Sequence, residues 1–254
     1  MNEPDKELLM TRVTQETHLD PNAMHIFYTN AEVASHNDAM LEKIDTETIV
    51  LKANIKGPTK GYTAPKTVDG RIGNTRFFEK LRIKIGARCV LTWNISTADG
   101  LVNGSCGTII AFERGSKLTK ESKDAIVVKF DDDRVGIHQR QRHQRLSKKF
   151  ENENGTPIFR QEIDYNIRSK KGFAHAATAK IDQFPIAINY ACTAHRMQVR
   201  YNDRNVIVNL SLQNYFIGPN CHSWNQGYTS LASKSNSIAK RLESKQNIFP
   251  IELE

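Results

Sequence analysis

The sequence feature best suited to chemistry is a basic segment, residues 134–149. It holds six arginine and lysine side chains and no acidic one: Arg134, Arg140, Arg142, Arg145, Lys148 and Lys149. A second basic group contains Arg168, Lys170, Lys171 and Lys180. Such clusters attract phosphate backbones, because binding releases the counterions that surround a nucleic acid. The charge pattern alone fits a nucleic-acid contact and a solvated loop equally well.

A second feature is the spacing of glycines within residues 83–110. Gly100, Gly104 and Gly107 stand close together there, and glycine permits a positive φ or a close approach of two backbones. By itself this pattern indicates hairpin turns in a small β module. Trp93 precedes the glycines, and an aromatic side chain near a nucleic-acid path can stack on bases. The alternative is that Trp93 packs in the core of the module.

No nucleotide-binding loop occurs in the sequence. A motor driven by nucleotide hydrolysis needs a GxxxxGK[ST] loop around the phosphates and a carboxylate for magnesium. The nearest glycine-rich stretch, residues 57–61, has the wrong spacing. Three aspartates at residues 131–133 follow an apolar strand, but their position predicts a hairpin turn. His138 and His143 lie among arginines, which would repel a metal ion, so no metal site is predicted.

The elements before these residues predict an α/β unit. Residues 25–28 form a short apolar strand. Thr29 and Glu32 have the spacing of a capping box, and Val33 and Leu41 follow at helical spacing. Strand, cap and helix together are the repeating unit of an α/β sheet.

The elements that follow predict a β module inserted into this α/β fold. Short strands with turn signals, as in small barrels, are predicted at residues 81–85, 89–91, 107–112, 125–130 and 135–138. From Phe184 the α/β pattern resumes, with a strand at residues 206–208 and a final helix that carries Tyr228 and Leu242.

Two blocks of the sequence resemble the PIF-one (petite integration frequency) family of superfamily-one DNA helicases. The first block matches the family pattern at the start of its inserted barrel, with Gly86-Ala87, Val90-Leu91, Asn94, Gly100-Leu101-Val102-Asn103-Gly104 and Gly107. The second matches a late family motif and comprises Phe184-Pro185-Ile186 and Thr193-Ala194-His195-Arg196-Met197-Gln198. Upstream, Tyr28-Thr29-Asn30-Ala31-Glu32-Val33 resembles the entry into the family's second RecA-like lobe.

The resemblance covers roughly residues 24 to 240 and implies a fold. That fold is α/β, a second RecA-like helicase lobe with an inserted small all-β barrel of the Src-homology type. Four parts are expected: a polar N-terminal segment (1–22), the first part of the lobe (23–80), the barrel with its basic extension (81–182) and the remainder of the lobe (183–254).

The resemblance also implies roles for individual residues. Thr193, His195 and Arg196 are expected to contact DNA or the other lobe, and Gln198 is expected on the nucleotide side. Further DNA contacts are expected from two sets: Trp93, Asn103 and Gly104 in the barrel, and Arg140, Arg142, Arg145, Lys148 and Lys149 in the basic segment. In the intact family the partner is single-stranded or forked DNA, and the cofactors are ATP and magnesium.

The chain departs from the family at two motifs. Where the family continues Gly-Gln-Thr, this chain reads Val199-Arg200-Tyr201, which removes a glycine turn. If residues 228–233 match the last family motif, Ser233 stands at the position of an arginine finger, a group worth about 10³–10⁵ in rate in related hydrolases. Lys234 lacks the planar fork of arginine. Because the sequence also holds no nucleotide-binding loop, no cofactor is expected for this chain alone.

Two functions therefore stay open. The chain is either the C-terminal part of an ATP-dependent 5′→3′ DNA helicase or a degenerate, non-catalytic remnant that binds single-stranded nucleic acid, derived from a mobile element. Whether the chain is an enzyme is left open. An open frame upstream of Met1 that encodes a GxxxxGK[ST] loop, and so the missing N-terminal lobe, would favour the first. The family resemblance implies a nuclear protein, with the mitochondrion as the other family location, acting in telomere maintenance, DNA repair and recombination.

Composition sets the outer limits. The chain has 254 residues, a net charge of +8 and 39% hydrophobic residues, which fits a folded protein of one or two domains. No apolar run reaches the ~18–20 residues of a membrane span, so no membrane partner is expected. The polar, acidic N-terminus has neither a signal peptide nor the look of a transit peptide. The widely spaced Cys89, Cys106, Cys192 and Cys221 are predicted to be reduced, buried side chains.

Overall fold

The computed structural model describes residues 23–57, 62–63, 70–72, 75–115, 123–169, 176–193, 206–210 and 251–253. The helices in these ranges are α1 (Asn30–Glu42), α2 (Ile137–Arg142) and α3 (Gln144–Ser147), with short 3₁₀ helices at Thr97–Asp99 and Lys148–Glu153. The strands are β1 (Met24–Phe27), β2 (Ile49–Lys52), β3 (Asn54–Lys56), β4 (Tyr62–Thr63), β5 (Lys80–Ile83), β6 (Arg88–Leu91), β7 (Cys106–Glu113), β8 (Ala125–Phe130), β9 (Thr156–Phe159), β10 (Gln161–Ser169), β11 (Ala176–Gln183), β12 (Ile186–Ile188), β13 (Ala191–Thr193), β14 (Val206–Leu210) and β15 (Ile251–Leu253).

The chain divides into two compact units. The first consists of Met1–Ala34 with Tyr190–Glu254, and the second is Ser35–Asn189. In sequence, the second unit therefore interrupts the first. Strand β12, which the sequence pattern placed with the resumed α/β part, pairs antiparallel with β6 of the second unit.

The first unit contains a four-stranded sheet whose strands are all parallel, in the order β13-β1-β14-β15. The predicted capping box is confirmed. The side-chain oxygen of Thr29 accepts the Glu32 N–H at 3.2 Å, and Glu32 Oε2 accepts the Thr29 N–H at 2.8 Å. These bonds satisfy N–H groups that an isolated helix start leaves without partners. Strand, cap and helix thus follow one another as the sequence predicts.

The second unit is built around a five-stranded antiparallel sheet in the order β12-β6-β7-β8-β9. A four-stranded sheet, β3-β11-β10-β4, and the pair β2-β5 complete its strands. The predicted strands at residues 81–85, 89–91, 107–112 and 125–130 are confirmed. The described residues of this unit form two buried apolar clusters, and the larger one includes the fully buried Ile83, Ile109 and Ile126. Burial of such side chains is the main source of folding free energy here.

Gly107 allows β7 and β8 to lie close together. A Cβ atom at this position would come within 2.5 Å of the Lys129 carbonyl oxygen and 3.0 Å of Phe130 Cα. Real Cβ atoms do not approach backbone so closely, so only glycine fits. The predicted need for glycine near the end of this motif is therefore confirmed.

The predicted strand at residues 135–138 is wrong. After the acidic turn the chain enters helix α2, and the neighbour of β8 is β9, so residues 131–133 are not a hairpin turn. The physical reason is a distant contact. Both carboxylate oxygens of Asp99 accept backbone N–H groups, from His138 and from Gln139, at 2.8 Å each. This cap overrides the strand preference of Val135 and Ile137.

The cysteines that lie in the described ranges form no disulfide with one another. Cys89 and Cys192 are buried as predicted, and Cys106 is half-buried. Burial raises the pKa of the Cys89 thiol far above its ordinary value, which keeps it protonated and unreactive. Cys221 and the predicted final helix lie outside the described residues. In the part of the chain that is described, no helix is both long and apolar enough to cross a membrane.

Candidate nucleic-acid interface

The basic segment is helical rather than a loop. Arg140 and Arg142 lie on α2, Arg145 on α3, and Lys148 and Lys149 in the following 3₁₀ helix. All of these except Arg140 are exposed. The structure therefore presents their charges on one short run of helical turns, where they are accessible to a polyanion.

Arg140 is committed to contacts within the protein. Its guanidinium donates to the carbonyl oxygens of Val135 at 2.8 Å and Asp133 at 2.9 Å, and to Thr156 Oγ1 at 2.7 Å. Three hydrogen bonds from one half-buried arginine fix the turn before α2 to strand β9. The structure thus gives Arg140 a part in holding the segment in place.

Two other basic side chains are paired with carboxylates. Lys149 Nζ lies 3.0 Å from Glu113 Oε2, and Arg134 lies 2.8 Å from Asp132 Oδ2. Within the described residues, Arg142, Arg145 and Lys148 form no ion pair. Those three cations, which we call the free basic triad, keep their full charge for an external anion.

His143 separates α2 from α3 and packs inward. Its ring lies 4.6 Å from the Phe159 ring, centroid to centroid. Burial, followed by the nearby charge of Arg142, lowers the pKa of His143 below its ordinary value. The ring is therefore neutral at pH 7 and anchors the two helices by packing against Phe159.

The glycine motif forms a tight turn next to β6. Gly100 and Gly104 adopt φ values of 67° and 108°, where residues with a Cβ are strained. Asn94 Oδ1 accepts the Asn103 N–H at 2.7 Å, and the Gly104 N–H donates to the Leu91 carbonyl at 2.8 Å. Hydrogen bonds therefore fix the motif as a turn, which we call the locked glycine turn, and the Asn103 side chain is exposed.

Trp93 combines features of both alternatives that the sequence left open. Its indole ring packs edge-on against Phe77 at a centroid distance of 6.2 Å, yet 40% of the residue is exposed. One part of the ring is thus anchored in the module while another part is available for stacking on a base.

In the first unit, Thr193 is the last residue of β13 and pairs in register with Phe27 at the end of β1. Parallel strands end on one edge of a sheet, and ligands of open α/β folds bind at that edge. Tyr28, which the sequence pattern places at the start of the lobe but not among the expected DNA contacts, follows β1 there and is 65% exposed. His195, Arg196 and Gln198 lie outside the described residues, so their predicted roles stay predictions.

The three aspartates at residues 131–133 all make contacts within the protein. Asp131 is engaged by Arg88, Asp132 by Arg134, and Asp133 accepts from the Asn154 side chain at 3.2 Å. In the part of the chain that is described, no group of three His, Cys, Asp or Glu side chains is placed to hold a metal ion. The aspartate run that follows an apolar strand is therefore engaged in contacts within the protein.

Comparison with solved structures identifies the fold. Bacteroides sp Pif1 in complex with ADP-AlF4 superposes with a TM-score of 0.53 at 18% identity, over 84% of this chain and 40% of that one. The chain has the fold of this part of a Pif1 helicase. Bacteroides Pif1 bound to ssDNA gives a TM-score of 0.51 at 18% identity, over 82% of this chain and 39% of that one.

The resemblance that the sequence blocks predict is thus confirmed at the level of fold, which is RecA-like α/β. The chain spans about two fifths of the length of the Pif1 chains it matches. No protein-family model and no curated protein sequence matches it.

Proposed function

We propose that this chain is the second RecA-like lobe of a Pif1-like helicase, with the second unit as its inserted β barrel, and that it grips single-stranded DNA through phosphates. The parallel sheet β13-β1-β14-β15 supports the lobe. The five antiparallel strands and the locked glycine turn, in their place in the sequence, support the barrel. One of the solved Pif1 structures that share the fold is bound to ssDNA.

The free basic triad is the observation that supports DNA binding most strongly. Arg142, Arg145 and Lys148 are exposed and form no ion pair with any described carboxylate. Each would neutralise one phosphate and release counterions, which gives salt-dependent binding without sequence readout. Trp93 adds a partly exposed ring on which a base can stack, a contact that tolerates every base.

We further propose Thr193, with His195 and Arg196 after it, as DNA or interlobe contacts, and Gln198 as a residue on the nucleotide side. In this proposal ATP and magnesium are bound mainly by a further RecA-like lobe, the partner that completes the motor. A nuclear location and roles in telomere maintenance, repair and recombination are proposals that rest on the family resemblance alone.

The direct test is binding of a fluorescently labelled oligothymidine to the purified chain at low salt, followed by anisotropy. We expect the triple variant Arg142→Ala, Arg145→Ala, Lys148→Ala to bind markedly more weakly than the parent. The matched control replaces three exposed lysines elsewhere by alanine, Lys43, Lys52 and Lys80, and so changes the net charge equally. Equal losses in the two triple variants would contradict a specific DNA-binding face.

A further inference from the structure

Asp99 joins the glycine motif to the basic segment. It ends the 3₁₀ helix Thr97–Asp99, directly before Gly100 of the motif, and its side chain is only 4% exposed. Its two carboxylate oxygens each accept one backbone N–H of α2, from His138 and Gln139, and its carbonyl oxygen accepts the Gly136 N–H at 2.8 Å. One residue thus makes three hydrogen bonds to a segment about 40 positions further along the chain.

Helix α2 lacks any cap of its own. It is entered through Gly136, whose φ is 82° and which has no side chain to accept the first N–H groups, and its first turn contains no acidic residue. Buried N–H groups without acceptors are costly. The Asp99 carboxylate supplies both acceptors, and its negative charge is favourable at the positive end of the helix.

The position of α2 is therefore set from both sides. Asp99 holds its first turn, while the Arg140 guanidinium ties the same helix to Thr156 of β9. Arg142 and Arg145 follow on α2 and α3 without such contacts. The direction in which these two cations point depends on the two anchors, of which Asp99 is the one that adjoins the glycine motif.

We infer that Asp99 is a positioning residue for DNA binding, which aims the free basic triad by capping α2. The inference rests on the proposed function and deepens it, since it gives the glycine motif a task beyond forming a turn. The inference predicts the opposite of what net charge alone predicts. Removal of the negative charge of Asp99 should weaken binding to a polyanion, although the protein becomes more positive.

The test compares Asp99→Asn with the control Asp45→Asn, which removes one exposed negative charge elsewhere. Each variant loses one negative charge, so the net charge of the protein rises by the same amount in both. We expect Asp99→Asn to bind oligothymidine about fivefold more weakly than the parent, because the amide keeps one acceptor oxygen and leaves one backbone N–H of α2 without an acceptor. We expect Asp45→Asn to bind no more weakly than the parent. In the background of the triad variant, Asp99→Asn should have little further effect, because coupled residues are not additive.

Hydrogen exchange of the amides in residues 137–142 supplies a second readout that needs no DNA. The amides of these residues should exchange faster in Asp99→Asn than in the parent. If Asp99→Asn does not fold, Asp99→Glu, which keeps the charge, replaces it in this measurement. Affinity equal to that of Asp45→Asn, or an equal loss in the triad background, would overturn the inference. If the parent binds no DNA, the proposed function fails and this role with it, whereas exchange still decides whether Asp99 holds the helix.

Discussion

A test of the second unit lies at Gly107, where replacement by alanine adds one methyl group between two strands. The added Cβ would lie 2.5 Å from the Lys129 carbonyl oxygen, 2.7 Å from Val128 Cγ1 and 3.0 Å from Phe130 Cα. Two of these three atoms belong to the backbone of β8 and cannot rotate away. The strands β7 and β8 must therefore separate, and the buried Ile109 and Ile126 on them must shift with the backbone.

The cost follows from the geometry. Overpacking of a well-packed core costs typically about 1–3 kcal/mol, and backbone clashes place Gly107→Ala at or above the upper end of that range. A loss of about 3 kcal/mol lowers the melting temperature of a unit of this size by about 6–12 °C. Gly86→Ala is the matched control, because there the φ of 91° is strained but the nearest atom, Ile44 Cγ2, is 3.9 Å away. Strain alone costs about 1–2 kcal/mol.

The assay is urea or thermal unfolding followed by the fluorescence of Trp93, which belongs to the second unit. A Trp224→Phe background removes the other tryptophan, so the signal reports this unit alone. We expect the parent to be the most stable, Gly86→Ala to be less stable and Gly107→Ala to be the least stable. If Gly107→Ala unfolds together with the parent, the close approach of β7 and β8 is wrong.

Two further predictions concern single contacts. Thr29→Ala removes the side-chain acceptor of the capping box and should cost about 0.5–2 kcal/mol, measured by circular dichroism during urea unfolding; unchanged stability would show that the box contributes nothing. Hydrogen bonds from Lys56 and then Lys180 lower the pKa of Glu162 from 4.5 to about 2. This contribution to stability is therefore complete above pH 4.5 and is lost as the pH falls through about 2. Glu162→Gln should accordingly be less stable than the parent at pH 6, and the difference should disappear below pH 2. A difference that does not change with pH would exclude the ion pairs as its cause.

Local signals in the sequence were sufficient for much of the fold. The capping box depends on two residues three positions apart, and β5 to β8 are short apolar or alternating runs bounded by turns. The need for glycine at Gly104 and Gly107 was also readable, because no other residue tolerates the φ value or the close contact that these positions have. These features depend on neighbours in sequence or on a property of one residue type.

The features that the sequence does not predict depend on contacts between residues far apart in the chain. Residues 135–138 look like a strand, but helix α2 begins at Ile137, where the carboxylate of Asp99, far upstream, accepts two of the helix N–H groups. In the same way, the charge of Arg140 is visible in the sequence, but the hydrogen bonds that its guanidinium donates to Val135 and Thr156 are not. The basic segment is visible in the sequence, but the division into anchoring cations and cations without an ion pair depends on the fold.

The most direct measurement of the central claim is the salt dependence of single-stranded DNA affinity. The logarithm of the association constant falls linearly with the logarithm of the salt concentration, and three phosphate contacts on a single strand contribute about −2 to that slope. The parent should show this slope in addition to any other contacts, and the variant that lacks Arg142, Arg145 and Lys148 should lose about 2 from it. The variant that lacks Lys43, Lys52 and Lys80 should keep the slope of the parent. Equal slopes in the parent and in the triad variant would contradict the claim that this basic face grips the phosphate backbone.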